Sequence, residues 1–341
     1  MSKFVKLSGL FLSIILVGCA NQVLKYDKTE HLKKIDEFDQ QVIILTPGAA
    51  LPTPSDVKKK SSLAKTKVKA NSRTKAKTKK GVEPEAVSTK HEPEIEGEAG
   101  FIGRRPIKDP YRVSEKIVYD VSYLGMTAGA MTIETLPFVE VNGRKSYQFK
   151  MSAQTRSFFS SIYNLDDYVM NLIDYETLIP SVFTLHVRET KQLREARYLF
   201  DRSKGQVTFW EKKVTEKDGE KETKLQWETP DFTQNVFSSL IYTRIFPWEV
   251  GGEHAFRVAD NGQNLIFHAK AIRKEKIKLD SGEFDAIVLN PQVELRGIAK
   301  PMGEIYVWLS DDDRHYILKI EGKIKIGTLV FEAQKIDPGL N

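Results

Sequence analysis

The chain has 341 residues, 40% of them hydrophobic, and a formal net charge of +6. That length is enough for one large domain or two small ones. The charge is segregated: residues 1–56 are neutral, 57–80 hold eleven Lys or Arg and no acid, and 81–98 hold six Glu against Lys90. Residues 99–341 are therefore neutral overall, which excludes a folded domain that binds polyanions by charge alone.

At the N-terminus Lys3 and Lys6 precede an apolar or small run, Leu7 to Gly18, that ends at Cys19. A helix of about 12 residues is roughly 18 Å long, short of a hydrocarbon core of about 30 Å. The run reads as residues 1–18 of a secretory signal rather than a membrane span. Leu16-Val17-Gly18-Cys19 resembles the lipobox of bacterial lipoproteins, and Cys19 is the only cysteine in the chain. The resemblance implies cleavage before Cys19, diacylglycerol on its thiol and a fatty acyl group such as palmitate on its amine. Two or three acyl chains, at about 0.8 kcal/mol per buried CH₂, anchor a protein durably. Ala20 stands where an aspartate would retain a lipoprotein at the inner membrane, so the expectation is the outer membrane, facing the periplasm or the cell surface.

Residues 19–56 read as a membrane-proximal segment. Leu32, Ile35, Phe38, Val42 and Leu45 recur three to four apart, which predicts a short amphipathic helix ended by Pro47-Gly48. Its expected role is membrane-proximal packing or contact with a partner. Residues 57–111 form a linker, Lys-rich and then Glu-rich, whose basic part has no aromatic residue and nothing to bury. That composition predicts disorder. About 80 residues would then separate anchor from domain, spanning roughly 50 Å as a coil and over roughly 250 Å stretched. The tract Lys58–Lys80 suits anionic cell wall or lipopolysaccharide, or else a spacer extended by self-repulsion. Without interleaved aromatic residues for base stacking, no nucleic-acid partner is expected.

From Ser114 the pattern becomes alternating strands with turns, in a β-rich domain spanning 112–337. Asn142-Gly143 predicts a hairpin that sets Phe138 against Tyr147 and Leu136 against Phe149, with Pro137 marking an edge or a bulge. Asp218-Gly219 predicts another, pairing Glu216 with Lys221, Lys217 with Glu220 and Trp210 with Trp227. Ser281-Gly282 predicts a third, with Leu279 against Phe284 and Ile277 against Ala286. One segment is helical instead: Phe232, Val236, Phe237, Leu240, Ile241 and Ile245 share a face, with Asp231 and Gln234 as a capping box and Pro247 as the stop. The predicted class is mainly β: a large curved antiparallel sheet, an open or partly closed barrel, with one packed helix of about 14 residues. The strands "EIYVWLS" and "FDAIVLN" are apolar on both faces, so they are either covered twice or line a cavity.

Four stretches, "EKIVYDVSYLGMTAGAMTIE", "SIYNLDDYV", "DFTQNVFSSLIYTRIFPWEVGG" and "VWLSDDDRHYILKIEGKIKIGTL", resemble an uncharacterised bacterial envelope family, domain of unknown function 3108. The last is the most specific, through Trp308, Asp312 and Ile326-Gly327. The likeness covers about residues 112–335 and implies a β-rich envelope domain, with no catalytic residues to carry over.

No constellation for chemistry emerges. His31, His91, His186, His254, His268 and His315 lack zinc-ligand spacing, and "HEPEIE" at 91 lies in the linker. "SDDDRH" at 310–315 lacks the spaced oxygens of a calcium loop and reads as a turn between Trp308 and Tyr316. Asp166 and Asp167, adjacent in a strand, point to opposite faces. Asp231 is taken as a helix cap, and Arg244 as half of a buried salt bridge. The expectation is no catalytic residue, no metal and no cofactor. The leading reading is a non-catalytic lipid-anchored protein that binds an apolar or amphipathic envelope ligand, a lipid or a lipid-linked glycan. The alternatives are a scaffold lipoprotein that recruits an envelope protein or cell wall and, less supported, a glycan-acting enzyme.

Overall fold

The computed structural model describes residues 30–46, 106–161, 163–295, 298–301, 304–324 and 327–340. Cys19 and the tract Lys58–Lys80 lie outside the described residues, as does His91. Among the described residues the architecture is one antiparallel sheet of sixteen strands. They are β1 (Ile44–Leu45), β2 (Glu115–Tyr123), β3 (Met126–Val141), β4 (Arg144–Thr155), β5 (Asp166–Asp174), β6 (Pro180–Glu189), β7 (Gln192–Asp201) and β8 (Gln206–Thr215). The chain continues through β9 (Gly219–Glu228), β10 (Glu253–Asp260), β11 (Gln263–Leu279), β12 (Gly282–Leu295), β13 (Ile298–Pro301), β14 (Glu304–Ser310), β15 (Ile317–Ile324) and β16 (Gly327–Pro338).

Two meanders build the sheet. β2 to β9 pair in sequence order, and so do β10, β11, β12, β14, β15 and β16; β16 then pairs with β2 to join the halves. The outermost strands, β9 and β10, are not laddered to each other. Trp227 Nε1 donates to Asn264 Oδ1 at 3.3 Å, and Gln234 forms a parallel bridge with Val258. The sheet is therefore strongly curled but not closed.

The hairpin registers differ instructively from the predicted ones. Asn142 and Gly143 have φ of 48° and 81°, as a two-residue hairpin turn requires, and Val141 faces Arg144. Pro137 has no N–H to donate, and a bulge between Leu136 and Val139 shifts the ladder by one. Phe138 still meets Tyr147, ring centroids 5.0 Å apart, but Phe149 faces Thr135 and not Leu136. At the second hairpin Gly219 closes a three-residue turn at φ 67°, and Thr215 faces Gly219. That shift of three places Trp210 and Trp227 on opposite faces of the sheet, so their predicted pairing is corrected: Trp210 faces Lys224, and Trp227 faces Val207. At the third, Asp280-Ser281 is the turn; Leu279 faces Gly282, and Ile277 faces Phe284. That shift of two preserves the face.

The helical segment is shorter than predicted. Its α-helix spans Val236–Tyr242 and runs into a 3₁₀ turn, Thr243–Ile245. Asn235 is the cap in place of Asp231: its side chain accepts from Phe237 N and Ser238 N, and Ser238 Oγ accepts from Asn235 N. The reason lies just upstream. Gln234 N donates to Arg257 O and Ala259 N donates to Gln234 O, so residue 234 is held extended against β10. The helix lies within the concave face, where Phe237 stacks on Phe183 and Tyr111 Oη donates to Ile241 O at 3.0 Å.

Beside it sits Arg244, 1% exposed. It donates to Glu115 at 2.6 Å, while Arg314 donates to the other carboxylate oxygen at 2.6 Å. The expected buried salt bridge is present. Residues 310–315 close a hairpin as expected, with Asp312 Oδ1 accepting from Ser310 Oγ, Arg314 N and His315 N. Ala286 to Leu289 and Val307 to Leu309 are buried on both faces of the sheet, so these strands are doubly covered.

The segment 30–46 forms two short helices, Glu30–Lys33 and Asp36–Gln41, followed by β1, and it packs on the convex face of the sheet. Ile35 and Phe38 join Val139, Val141, Leu172, Val182, Leu199 and Trp210 in a second apolar cluster. Full burial of such side chains is worth about 1.5–3 kcal/mol each. β1 pairs with β3, Ile44 opposite Val141.

Candidate functional site

On β3 and β4 the side chains that face the concave side grow small towards one end of the strands. Ala153 and Thr155 on β4, and Gly129 on β3, replace the bulky residues found further along. Gly129 is required there: a Cβ would come within 2.6 Å of the Gln154 carbonyl oxygen. Space remains where these strands end. A cavity of about 320 Å³ lies between them, with Val121, Met131, Met151, Phe237, Leu329 and Phe331 on its walls. That is the lower end of the roughly 300–1,000 Å³ of small-molecule pockets. Neither "EIYVWLS" nor "FDAIVLN" contributes to it; the two-sided strands of the sequence reading are not the ones at the cavity.

Partly exposed Tyr123, Phe159 and Tyr163 stand at the rim. The β2–β3 turn beside them carries Leu124 and Met126, 60% and 52% exposed. Two apolar side chains thus face solvent next to an apolar cavity.

The cavity has one acidic pole. Asp167, from β5, lines it, while Asp166 turns away and accepts from Gln154 Nε2 at 2.9 Å. The two point to opposite faces, as strand geometry demands. Asp167 is instead paired with Glu189, from the far end of β6. Arg188 N donates to Asp167 Oδ1 at 2.8 Å, and Tyr163 Oη donates to Glu189 Oε2 at 2.6 Å. Gln192 Nε2 donates to the same Glu189 oxygen. Burial first, and the Glu189 charge second, push the Asp167 carboxyl up to about 8. Burial and Glu189 likewise raise the Tyr163 phenol. At neutral pH the pair therefore holds a proton, presenting hydrogen-bonding groups at one end of a hydrocarbon-lined space.

The remaining residues considered from sequence do not converge here. His186 meets Glu195 on the outer face and stacks on Tyr168; His268 lies between Glu253 and Glu294. His254 stacks on Phe246, and the His315 ring meets Arg244 O at 2.8 Å. Burial lowers the pKa of His315. Among the described residues no group of three or more His, Cys, Asp or Glu is placed to hold a metal ion. Sequence reasoning did not locate the cavity, and it missed Glu189. The run of small residues in "GMTAGAM" was the available signal for the first.

Fold and cavity together define a mainly β protein whose curled sheet surrounds an apolar space. The chain belongs to the family described as a protein of unknown function, domain of unknown function 3108, whose model matches residues 118–334. Three solved structures are similar in part. A beta-barrel-like protein of domain of unknown function 1849 from Brucella abortus is 10% identical, covering 66% of this chain and 98% of its own, with a TM-score of 0.41. A protein of Bacteroides fragilis classed as exported, with a YmcC-like fold, is 7% identical over 67% and 98%, with a TM-score of 0.30. One of Parabacteroides distasonis classed as a lipoprotein is 9% identical over 67% and 97%, with a TM-score of 0.28. No curated protein is detectably similar. Among the described residues no helix is long and apolar enough to cross a membrane.

Proposed function

We propose that this chain is a lipid-anchored protein of the outer membrane whose β-domain holds one apolar or amphipathic envelope ligand in the cavity. The supporting observation is the cavity of about 320 Å³ with its apolar walls. Its walls present apolar side chains to water, and a bound apolar group would cover them, which the hydrophobic effect favours. A hydrocarbon chain fits the walls, and a head group that forms hydrogen bonds fits the pole at Asp167 and Tyr163. Leu124 and Met126 beside the rim provide a surface that a bilayer can receive, and hence a path for a lipid. The anchor is Cys19, and Lys58–Lys80 meets anionic lipopolysaccharide or cell wall.

The test is native mass spectrometry of protein purified gently from its membranes, with uptake of a fluorescent fatty acid or phospholipid as a second readout. Wild type is expected to carry one lipid per chain. Ala153→Trp, which fills the cavity from β4, should lose both the adduct and the uptake while still melting cooperatively. Wild-type protein that carries no lipid and takes up none would refute the reading.

A further inference from the structure

We infer that residues 30–46 are a strap that ties the N-terminal segment directly to the β-rich domain, independently of the chain from 47 to 105. The strap lies across the outer side of six strands or more. Phe38 meets Trp210 edge to face with ring centroids 5.9 Å apart, and Ile35 is 6% exposed. The surface beneath is an apolar stripe built from several strands: Val139, Leu172, Val182 and Leu199. Outward positions on a sheet are ordinarily polar, and these apolar ones lie beneath the strap.

Polar contacts fix its position as well. Trp210 Nε1 donates to Glu37 at 3.0 Å, and Lys224 pairs with the same carboxylate. At the other end Asn142 accepts from Ile43 N at 2.8 Å and donates its side-chain amide to Gln41 O at 3.2 Å. A loosely tethered linker has no reason to match an indole N–H and a lysine at one point and a turn asparagine at another.

The consequence is a change of reach. Measured along the sequence, about 90 residues separate Cys19 from the β-rich domain. Measured to the strap, ten residues do, which extend to at most about 40 Å. If Cys19 is the lipid anchor, the domain works next to the membrane; the docking itself does not depend on that reading.

The experiment therefore replaces the lipid by a resin. The mature full chain, immobilised through residue 19, receives a site-specific protease sequence after Lys80 and is cut. Retention of the C-terminal piece through extended washing is the expected result, with immediate release from an Ile35→Asp, Phe38→Asp variant whose melting shows the domain still folded. Immediate release of the wild-type piece overturns the inference. Equal retention of both also overturns it, because the hold would then lie outside the strap. A parallel cut on isolated membranes addresses the anchor separately: protein absent from membranes before any cut fails the lipid reading and leaves the strap standing.

Discussion

Arg244 and Glu115, 129 positions apart, meet at 2.6 Å with side chains only 1% and 3% exposed. The pair joins the end of the inner helical segment to the first strand of the large meander, and Arg314 shares the carboxylate. Two guanidinium groups thus depend on one buried acid.

Removing that acid should be expensive. Glu115→Ala strands a buried cation, and breaking such pairs costs about 3–5 kcal/mol. Urea denaturation should show the midpoint falling by a corresponding amount, with Arg244→Met, Glu115→Leu recovering much of it. A midpoint within error of wild type for the single variant would show that water reaches the guanidinium.

Asp167 should make stability depend on pH in an unusual direction. Its folded value is raised, so between about pH 4 and 8 the folded chain holds a proton that the unfolded chain has lost. Stability from this group is complete below about pH 4 and declines as pH rises towards 8. Asp167→Asn should abolish the decline, leaving the variant more stable than wild type at pH 8 and little changed at pH 4. Denaturation at the two pH values decides it; a variant weaker at pH 8 contradicts the assignment.

The helix cap makes a local prediction. Asn235 holds two backbone amides, and its Nδ2 donates to buried Asn171 at 2.7 Å. Asn235→Ala should cost about 1–2 kcal/mol, whereas Asp231→Ala, off the cap, should cost little. Equal losses would place the helix start where the sequence pattern put it.

Two outcomes concern residues outside the described structure. Cys19→Ser should leave an uncleaved precursor or a mislocalised protein; a variant that matures and floats with outer membranes as wild type does would exclude the anchor. Replacing the eleven Lys and Arg of 57–80 with Gln should abolish co-sedimentation with lipopolysaccharide, and the wild-type interaction should weaken steeply with salt. Unchanged sedimentation of the Gln variant at low salt favours a plain spacer.

Local chemistry explains which features were legible in the sequence. Asn142-Gly143 announced its turn because few dipeptides take positive φ at both positions without strain. Gly219 misled because one glycine can close a two- or a three-residue loop, and the choice inverts a strand's faces. The strap's own periodicity was readable at Leu32, Ile35 and Phe38. Its landing surface was not, although Met170 and Leu172 between inward Val169, Asn171 and Ile173 marked β5 as apolar on both sides. Asp167 and Glu189 illustrate the harder case. They meet because β5 and β6 lie side by side with an irregularity near Ile173, and such a pairing depends on tertiary register.

The joining of β16 to β2 also bears on how the protein is made. Glu115 on the first long strand finds its ladder partner at Pro338, three residues from the last residue of the chain. A chain synthesised from its N-terminus can zip β2 to β9 early, since each strand pairs with its successor. The outer edge of β2 must then wait, its N–H and C=O groups unpaired, until the final strand has emerged. Exposed edges of that kind recruit other strands, and long-range pairing is slow. A truncation at the C-terminus, even by a dozen residues, would therefore do more than trim a tail: it would leave a sticky seam in the middle of the sheet, and the interval before β16 pairs is when this fold is most vulnerable.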